Sequence, residues 1–183
     1  MLANIPFLGD REMSNNNPTL YYIDKDYLKH MHRRDYRVSV KFNNRPFVGI
    51  ITTIGSQKYV IPLTSQTTDE RKTEGKKKRS ANITTFVTES SGVEIANILY
   101  NNMIPVYDDV ITPATIDATI DTYESNEVRF IRKNWEIIQE KALKVYRTRY
   151  DTESHNYGFF AKTCCDFKKL EIACANYQKN ASV

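Results

Sequence analysis

The sequence predicts an α+β fold: a compact antiparallel β core, curled or closed into a small barrel, decorated by helices. Three observations carry this. Residues 38 to 64 alternate apolar and polar as half-buried strands do, short β-rich runs continue to Val106, and beyond Pro113 the apolar residues recur at steps of three and four.

Residues 1–18 include a second methionine, Met13, and the polar turn-forming run Ser14 to Pro18. Without a periodic pattern they are expected to be a poorly ordered leader, leaving 19–183 as a single domain. Leu20–Ile23 reads as a short strand. Asp24 then caps a helical turn that carries Tyr27, Leu28 and Met31 on one side, followed by the basic cluster His30 to Arg34. Val38, Val40 and Phe42 read as a strand, Asn43-Asn44 as a turn before Arg45-Pro46, and Phe47–Thr53 as the next strand. Gly55-Ser56 turns the chain into Lys58–Leu63, completing an antiparallel meander.

Glu70 to Arg79 has no apolar period, so a mobile, strongly basic loop is expected there. Further strands are expected at Ile83–Thr88, Val93–Leu99 and Met103–Val106. Val128, Ile131, Trp135, Ile138, Ala142 and Val145 predict one long amphipathic helix near 125–149 with Ser125 as its N-cap. A last helix begins near Asp166, with Phe167, Leu170, Cys174 and Tyr177 on one stripe.

Composition narrows the function. At 183 residues, 40% hydrophobic and 26% charged, the chain can bury a core and is not a disordered polymer. No run approaches the roughly 20 apolar residues of a membrane span, and the N-terminus lacks the charged and apolar regions of a signal peptide. A cytoplasmic protein with no membrane partner is expected. The three cysteines, Cys164, Cys165 and Cys174, suit neither a disulfide framework nor zinc-ligand spacing. His30 and His32 lack a partner set for a metal, and no cofactor is expected. The net charge is only +4, but lysine and arginine are clustered, which favours an anionic partner, nucleic acid first.

Several motifs, taken in order, resemble the ToxN/AbiQ family of type III toxin–antitoxin endoribonucleases. They are Tyr27-Leu28-Lys29, Arg45-Pro46-Phe47-Val48-Gly49-Ile50, Lys58 to Ser65, Asn102 to Val106, Arg129-Phe130-Ile131-Arg132 and Cys165 to Glu171. Two departures stand out: no tryptophan follows Thr64-Ser65 as it does in some relatives, and the family's lysine before the Phe-x-Gly strand is Arg45 here.

The resemblance implies a β core like the Kid/MazF toxins and a metal-independent endoribonuclease leaving 2′,3′-cyclic phosphate and 5′-OH ends. It also implies a pseudoknot-repeat RNA antitoxin as inhibitor, single-stranded RNA as substrate, a higher-order protein–RNA assembly, and a role in abortive phage infection. From spacing alone Arg45 is a turn arginine and Thr64-Ser65 a strand end; the resemblance makes them the site.

Such a reaction needs the 2′-OH activated, the phosphorane's charge stabilised and the 5′-oxygen supported as it leaves. Arg45, permanently cationic, suits the charge; Thr64 and Ser65 suit positioning of the phosphate. Lys41, His30 and His32 are the chemically available acids and bases. For RNA contact the candidates are His30, His32, Arg33, Arg34, Arg71, Lys72, Lys76, Lys77, Lys78 and Arg79. The alternative is a non-catalytic RNA-binding translational regulator; a protein-interaction subunit built on the amphipathic helix is the generic fallback.

Overall fold

The computed structural model describes residues 18–40 and 48–181. The leader up to Asn17, the expected strand residue Phe42, and Lys41 and Arg45 lie outside them. Seven strands, β1 (Leu20–Ile23), β2 (Val48–Ile54), β3 (Gln57–Thr64), β4 (Thr84–Thr88), β5 (Glu94–Leu99), β6 (Ile104–Val106) and β7 (Ile111–Pro113), form one sheet. Its order is β4-β5-β3-β2-β1-β7, β6 pairs with β3, and every pairing is antiparallel. The helices are α1 (Lys25–Arg34), α2 (Thr68–Thr73), α3 (Tyr123–Lys133), α4 (Trp135–Thr148), α5 (Tyr157–Thr163) and α6 (Phe167–Ala181). The α+β class and the antiparallel core are therefore as expected. Among the described residues the sheet does not close into a barrel; β4 and β7 end it.

β3 organises the sheet. One edge pairs with β2 from Gln57 to Pro62; the other pairs with β6 over Lys58–Val60 and with β5 over Leu63–Thr64. Pro62, which has no N–H to donate, stands where the second edge changes partner. The β2–β3 hairpin turns through Gly55-Ser56 with Gly55 at φ 62°; a positive φ at the first central position suits a two-residue hairpin turn and costs glycine little. Gly49 is needed for a different reason. A Cβ there would overlap the Val60 side chain and lie 2.7 Å from the Ile61 carbonyl oxygen.

The core is continuous from sheet to helices. Ile50, Tyr59, Val60, Ile61 and Ile98 from the strands join Tyr27, Met31, Ile131, Ile138, Phe167 and Leu170 from the helices, all fully buried. Two buried tyrosines anchor layers through their hydroxyls: Tyr27 donates to the Pro105 carbonyl at 2.5 Å, and Tyr59 donates to Glu171 of α6. Burying a phenol without such a partner would forfeit part of what burial of its ring contributes.

Four expectations need correction. The helix expected near 125–149 is two helices, broken at Asn134 (φ −112°, ψ 17°), whose side-chain amide donates to the Phe130 carbonyl at 2.8 Å. Asparagine's local bond to the backbone competes with helix continuation there. The stripe nevertheless crosses the break, with Val128, Ile131, Ile138, Ala142 and Val145 buried and Trp135 half-buried. Second, the N-cap is Thr122, and Ser125 is the third residue of a reciprocal capping box. Third, residues 38–40 are irregular rather than a strand. Fourth, the segment from Glu70 is not a structureless loop: Thr67 and Glu70 form a capping box that starts α2, and Lys76 N–H returns to the Arg71 carbonyl at 2.8 Å. The Thr67-x-x-Glu70 signature was present in the sequence, hidden by the lack of an apolar period. β7 and α5 went unforeseen as well.

Candidate active site

Thr64 is the last residue of β3, half-buried, and Ser65 follows it exposed. Pairing of Thr64 with Asn97 holds this end of the strand to β5. Beside Ser65 opens a pocket of about 170 Å³, floored by Leu20, Val48, Leu63, Ala114 and Ile116 and walled by Tyr22, Tyr123, Glu124 and Glu127. β1, β2, β3 and the first two turns of α3 thus converge on Ser65. The volume is below the usual range for a drug-sized ligand and suits something the size of one flat ring system.

Two of the walls are tyrosines with roughly two-fifths of their surface exposed, Tyr22 and Tyr123, and so offer rings to an incoming base. The Tyr123 hydroxyl donates to the Ile95 carbonyl at 2.8 Å. Burial above all, then the nearby Glu127 carboxylate, pushes the Tyr123 pKa up, so its phenol stays protonated. Neither the tyrosines nor Glu124 and Glu127 were foreseen, because Tyr22 reads as strand, Glu127 as part of an ordinary amphipathic helix, and Tyr123 and Glu124 lie just before the N-cap expected at Ser125. Only their convergence in space marks them.

The expected basic residues sort into three groups. Lys41 and Arg45 lie in the stretch outside the described residues that leads into Val48, the first residue of β2. That end of β2 is the one beside Thr64, since Gly49 pairs with Pro62.

α1 carries the second group. His30 packs its ring against Tyr177 at 4.9 Å, and burial first, then Arg34 and Arg33, lowers its pKa; His32 Nδ1 sits 2.7 Å from the Val38 carbonyl oxygen. These partners are on α6 and in the irregular segment after α1, not at Ser65. Arg33 and Arg34 are exposed.

The third group follows Ser65. Lys72 and Lys77 are exposed and make no ion pair among the described residues, Lys76 pairs with Glu74, and Lys78 lies 4.8 Å from the Phe86 ring centroid. Arg71 and Arg79 instead turn inward. Arg79 donates to the Gln66 carbonyl (2.9 Å) and to Gln66 Oε1 (3.1 Å), and Arg71 donates to that same Oε1 (3.1 Å) and to the Lys77 carbonyl (3.0 Å). Asn97, fully buried, donates to the Gln66 carbonyl as well (2.9 Å). Burial first, then Arg71, lowers the Arg79 pKa while Glu94 opposes them.

Elsewhere, among the described residues, no three His, Cys, Asp or Glu side chains cluster as a metal set, and no helix is long and apolar enough to cross a membrane. The three cysteines are free and buried.

The profile of the family described as "Toxin ToxN, type III toxin-antitoxin system" matches residues 19–175. Endoribonuclease ToxN of Bacillus thuringiensis subsp. kurstaki is 26% identical over 175 residues, covering 90% of this chain and 86% of that protein. Endoribonuclease AbiQ of Lactococcus lactis subsp. lactis is 23% identical over 168 residues, covering 88% and 90%. Among solved structures, one concerned with selective toxin inhibition by a non-coding RNA pseudoknot superposes with a TM-score of 0.73 at 26% identity, covering 89% of this chain and 99% of that one. The structure of AbiQ, a lactococcal anti-phage endoribonuclease, shares the fold with a TM-score of 0.73 at 21% identity, covering 90% and 99%.

Proposed function

Because this chain belongs to the family of ToxN toxins of type III toxin–antitoxin systems, we propose that it is a metal-independent endoribonuclease, the toxin of such a system. It cleaves single-stranded RNA in the cytoplasm, leaves 2′,3′-cyclic phosphate and 5′-OH ends, is held in check by a pseudoknot-repeat RNA antitoxin, and acts in abortive phage infection. The family match over nearly the whole described chain, with Ser65 lining the pocket, carries this reading. Residues 19–183 form the single toxin domain and 1–18 its leader. The Kid/MazF likeness belongs to the same proposal and is supported by the antiparallel sheet in which β3 divides one edge between β6 and β5.

In this mechanism the substrate's 2′-oxygen attacks the adjacent phosphorus, the 5′-oxygen leaves, and the phosphorane's charge needs fixed positive and hydrogen-bonding partners. Arg45 supplies the charge through its planar fork. Thr64 and Ser65 hold the phosphate; Lys41 is the proton-transfer candidate. The histidines serve poorly in that role, since their ring contacts are made on Tyr177 and Val38. Arg33, Arg34, Lys72, Lys76, Lys77 and Lys78 guide the RNA backbone by charge, with Arg71 and Arg79 adding potential near the site and His30 and His32 contributing contact rather than charge. A base from the substrate stacks on Tyr22 or Tyr123.

The test is end mapping of a single-stranded RNA incubated with the protein in EDTA. Fragments with cyclic-phosphate and 5′-OH ends are expected, and Ser65→Ala lowers kcat by about 10²-fold or more, the usual effect of deleting one phosphate or oxyanion donor. RNA left intact by the wild type in EDTA overturns the proposal.

A further inference from the structure

The lysine- and arginine-rich segment after Ser65 is the strongest charge run in the chain, and its obvious use is to grip RNA. Two of its arginines are arranged for something else. We infer that Arg79, together with Asn97, is a positioning residue that clamps the Gln66 carbonyl and so fixes the backbone carrying Thr64 and Ser65. The inference rests on the reading of Ser65 as part of the reactive site.

The geometry is a closed set of bonds around one peptide group. The Gln66 carbonyl accepts from Asn97 Nδ2 on one side (2.9 Å) and from the Arg79 guanidinium on the other (2.9 Å). The Gln66 side chain is gripped too: its Oε1 accepts from both Arg71 and Arg79 (3.1 Å each), and its Nε2 donates to Glu74 (2.8 Å).

Asn97 is itself fixed. It is fully buried in β5, opposite Thr64, and its amide also donates to Glu94 (2.9 Å), whose same oxygen accepts the Thr68 backbone N–H (2.8 Å). Two charged forks converging on one amide oxygen repel each other, a cost that a solvated loop would avoid by pointing them outward. Glu74 and Glu94 offset that repulsion. The result is that Ser65 sits between a strand end paired to Asn97 and a peptide group held from two sides, which is the kind of support a reactive hydroxyl needs, since a 1 Å misplacement can cost about 10²-fold in rate.

Arg79→Lys separates positioning from RNA contact, because it keeps the positive charge but cannot bridge the Gln66 carbonyl and Oε1 together. Steady-state cleavage of a single-stranded RNA is measured for wild type, Arg79→Lys, Asn97→Ala and the double variant, with Lys77→Ala for contrast. Arg79→Lys is expected to lower kcat by about 10²-fold with KM and its salt dependence kept, as a misplaced reactive group does. Asn97→Ala lowers kcat likewise, and the two effects are not additive because they act on one carbonyl. Lys77→Ala raises KM and flattens the salt slope by about 0.7, the signature of a lost single-strand phosphate contact.

Amide hydrogen exchange over residues 64–68 gives a reading free of activity, and it speeds up in Arg79→Lys while α4 and α6 keep their protection. Arg79→Lys with the wild-type kcat, or with a raised KM and unchanged exchange, overturns the clamp. If the wild type cuts no RNA but Arg79→Lys still loosens 64–68, the clamp stands and the assignment of the reaction falls.

Discussion

Asp35 gives the sharpest test of what holds the helices together. It follows α1, its side chain is only 2% exposed, and its two oxygens accept four bonds: from Arg37 N (3.0 Å), Nε (2.9 Å) and NH2 (2.8 Å), and from the Asp166 N–H at the start of α6 (2.7 Å). Arg37 also donates to the Ala161 carbonyl in α5 (3.1 Å), so one ion pair ties three helices. Taken singly, bonds to a charged group are worth about 1.5–3 kcal/mol each, but two of the four come from one guanidinium that is 21% exposed and can turn to water. The loss from Asp35→Ala is therefore expected near the lower end of the range for breaking a buried pair, about 3 kcal/mol. In a chain of this size that is about 6–12 °C in Tm.

The measurement is urea unfolding of wild type, Asp35→Ala, Arg37→Ala and the double variant. The double variant should lose less than the sum of the singles, because each single leaves the partner stranded. The pH dependence has a definite sign. Burial would raise the Asp35 pKa, but the Arg37 guanidinium and the Asp166 and Arg37 amides outweigh it and hold the carboxyl below its usual 3.8. A lowered folded-state pKa means stability that is present above the unfolded value and lost as pH falls through the folded one. The gap between wild type and Asp35→Asn is then constant from pH 8 to 5 and closes below pH 4. A loss under about 1 kcal/mol for Asp35→Ala, the value of an exposed pair, would refute this account, as would a gap that widens in acid.

Three further outcomes follow from the fold. Gly49→Ala should lower stability by about 1–3 kcal/mol, the cost of overpacking, because its Cβ meets Val60 and the Ile61 backbone; an unchanged urea midpoint would contradict it. The thiols should react slowly with a thiol reagent at pH 8 in the native protein and all three promptly once unfolded, since burial pushes Cys164 up to about 11 and raises Cys165 and Cys174 as well. Thr67→Ala should cost α2 about 1 kcal/mol, seen as faster amide exchange across 68–73 with the global midpoint little moved.

What the sequence disclosed and what it withheld divide along a physical line. Period-2 and period-3.6 patterns report burial against a common core, so β2 to β6, α1 and α6 were all legible, as was the stripe from Val128 to Val145. Asn134 broke that stripe's helix without breaking its period, because a local side-chain bond leaves no trace in hydrophobicity. The basic run misled for a related reason: charge alone says solvent, while Arg71 and Arg79 are held inward by one glutamine that no pattern singles out. Thr64 and Ser65 were visible only as a strand end until the family resemblance raised them. Tyr22, Tyr123, Glu124 and Glu127 come from β1 and α3, a hundred residues apart, and only the fold assembles them around Ser65.

The shared edge of β3 also governs where this chain can change length. A strand paired on both sides cannot take up an added residue by slipping, since a shift of one sends every side chain to the opposite face. Between Gln57 and Thr64, where Tyr59 and Ile61 are buried on one face and Val60 on the other, that would exchange the two buried sets and carry Ser65 away from its pocket in one step. An extra residue beside Asp117 or Thr119, both exposed and in no strand, would meet no such barrier. β3 thus acts as a ruler between the hairpin tip at Gly55 and the reactive end: variation in length among natural or designed forms of this protein should collect outside it, since a deletion within it breaks register with β2 on one edge and with β6 and β5 on the other.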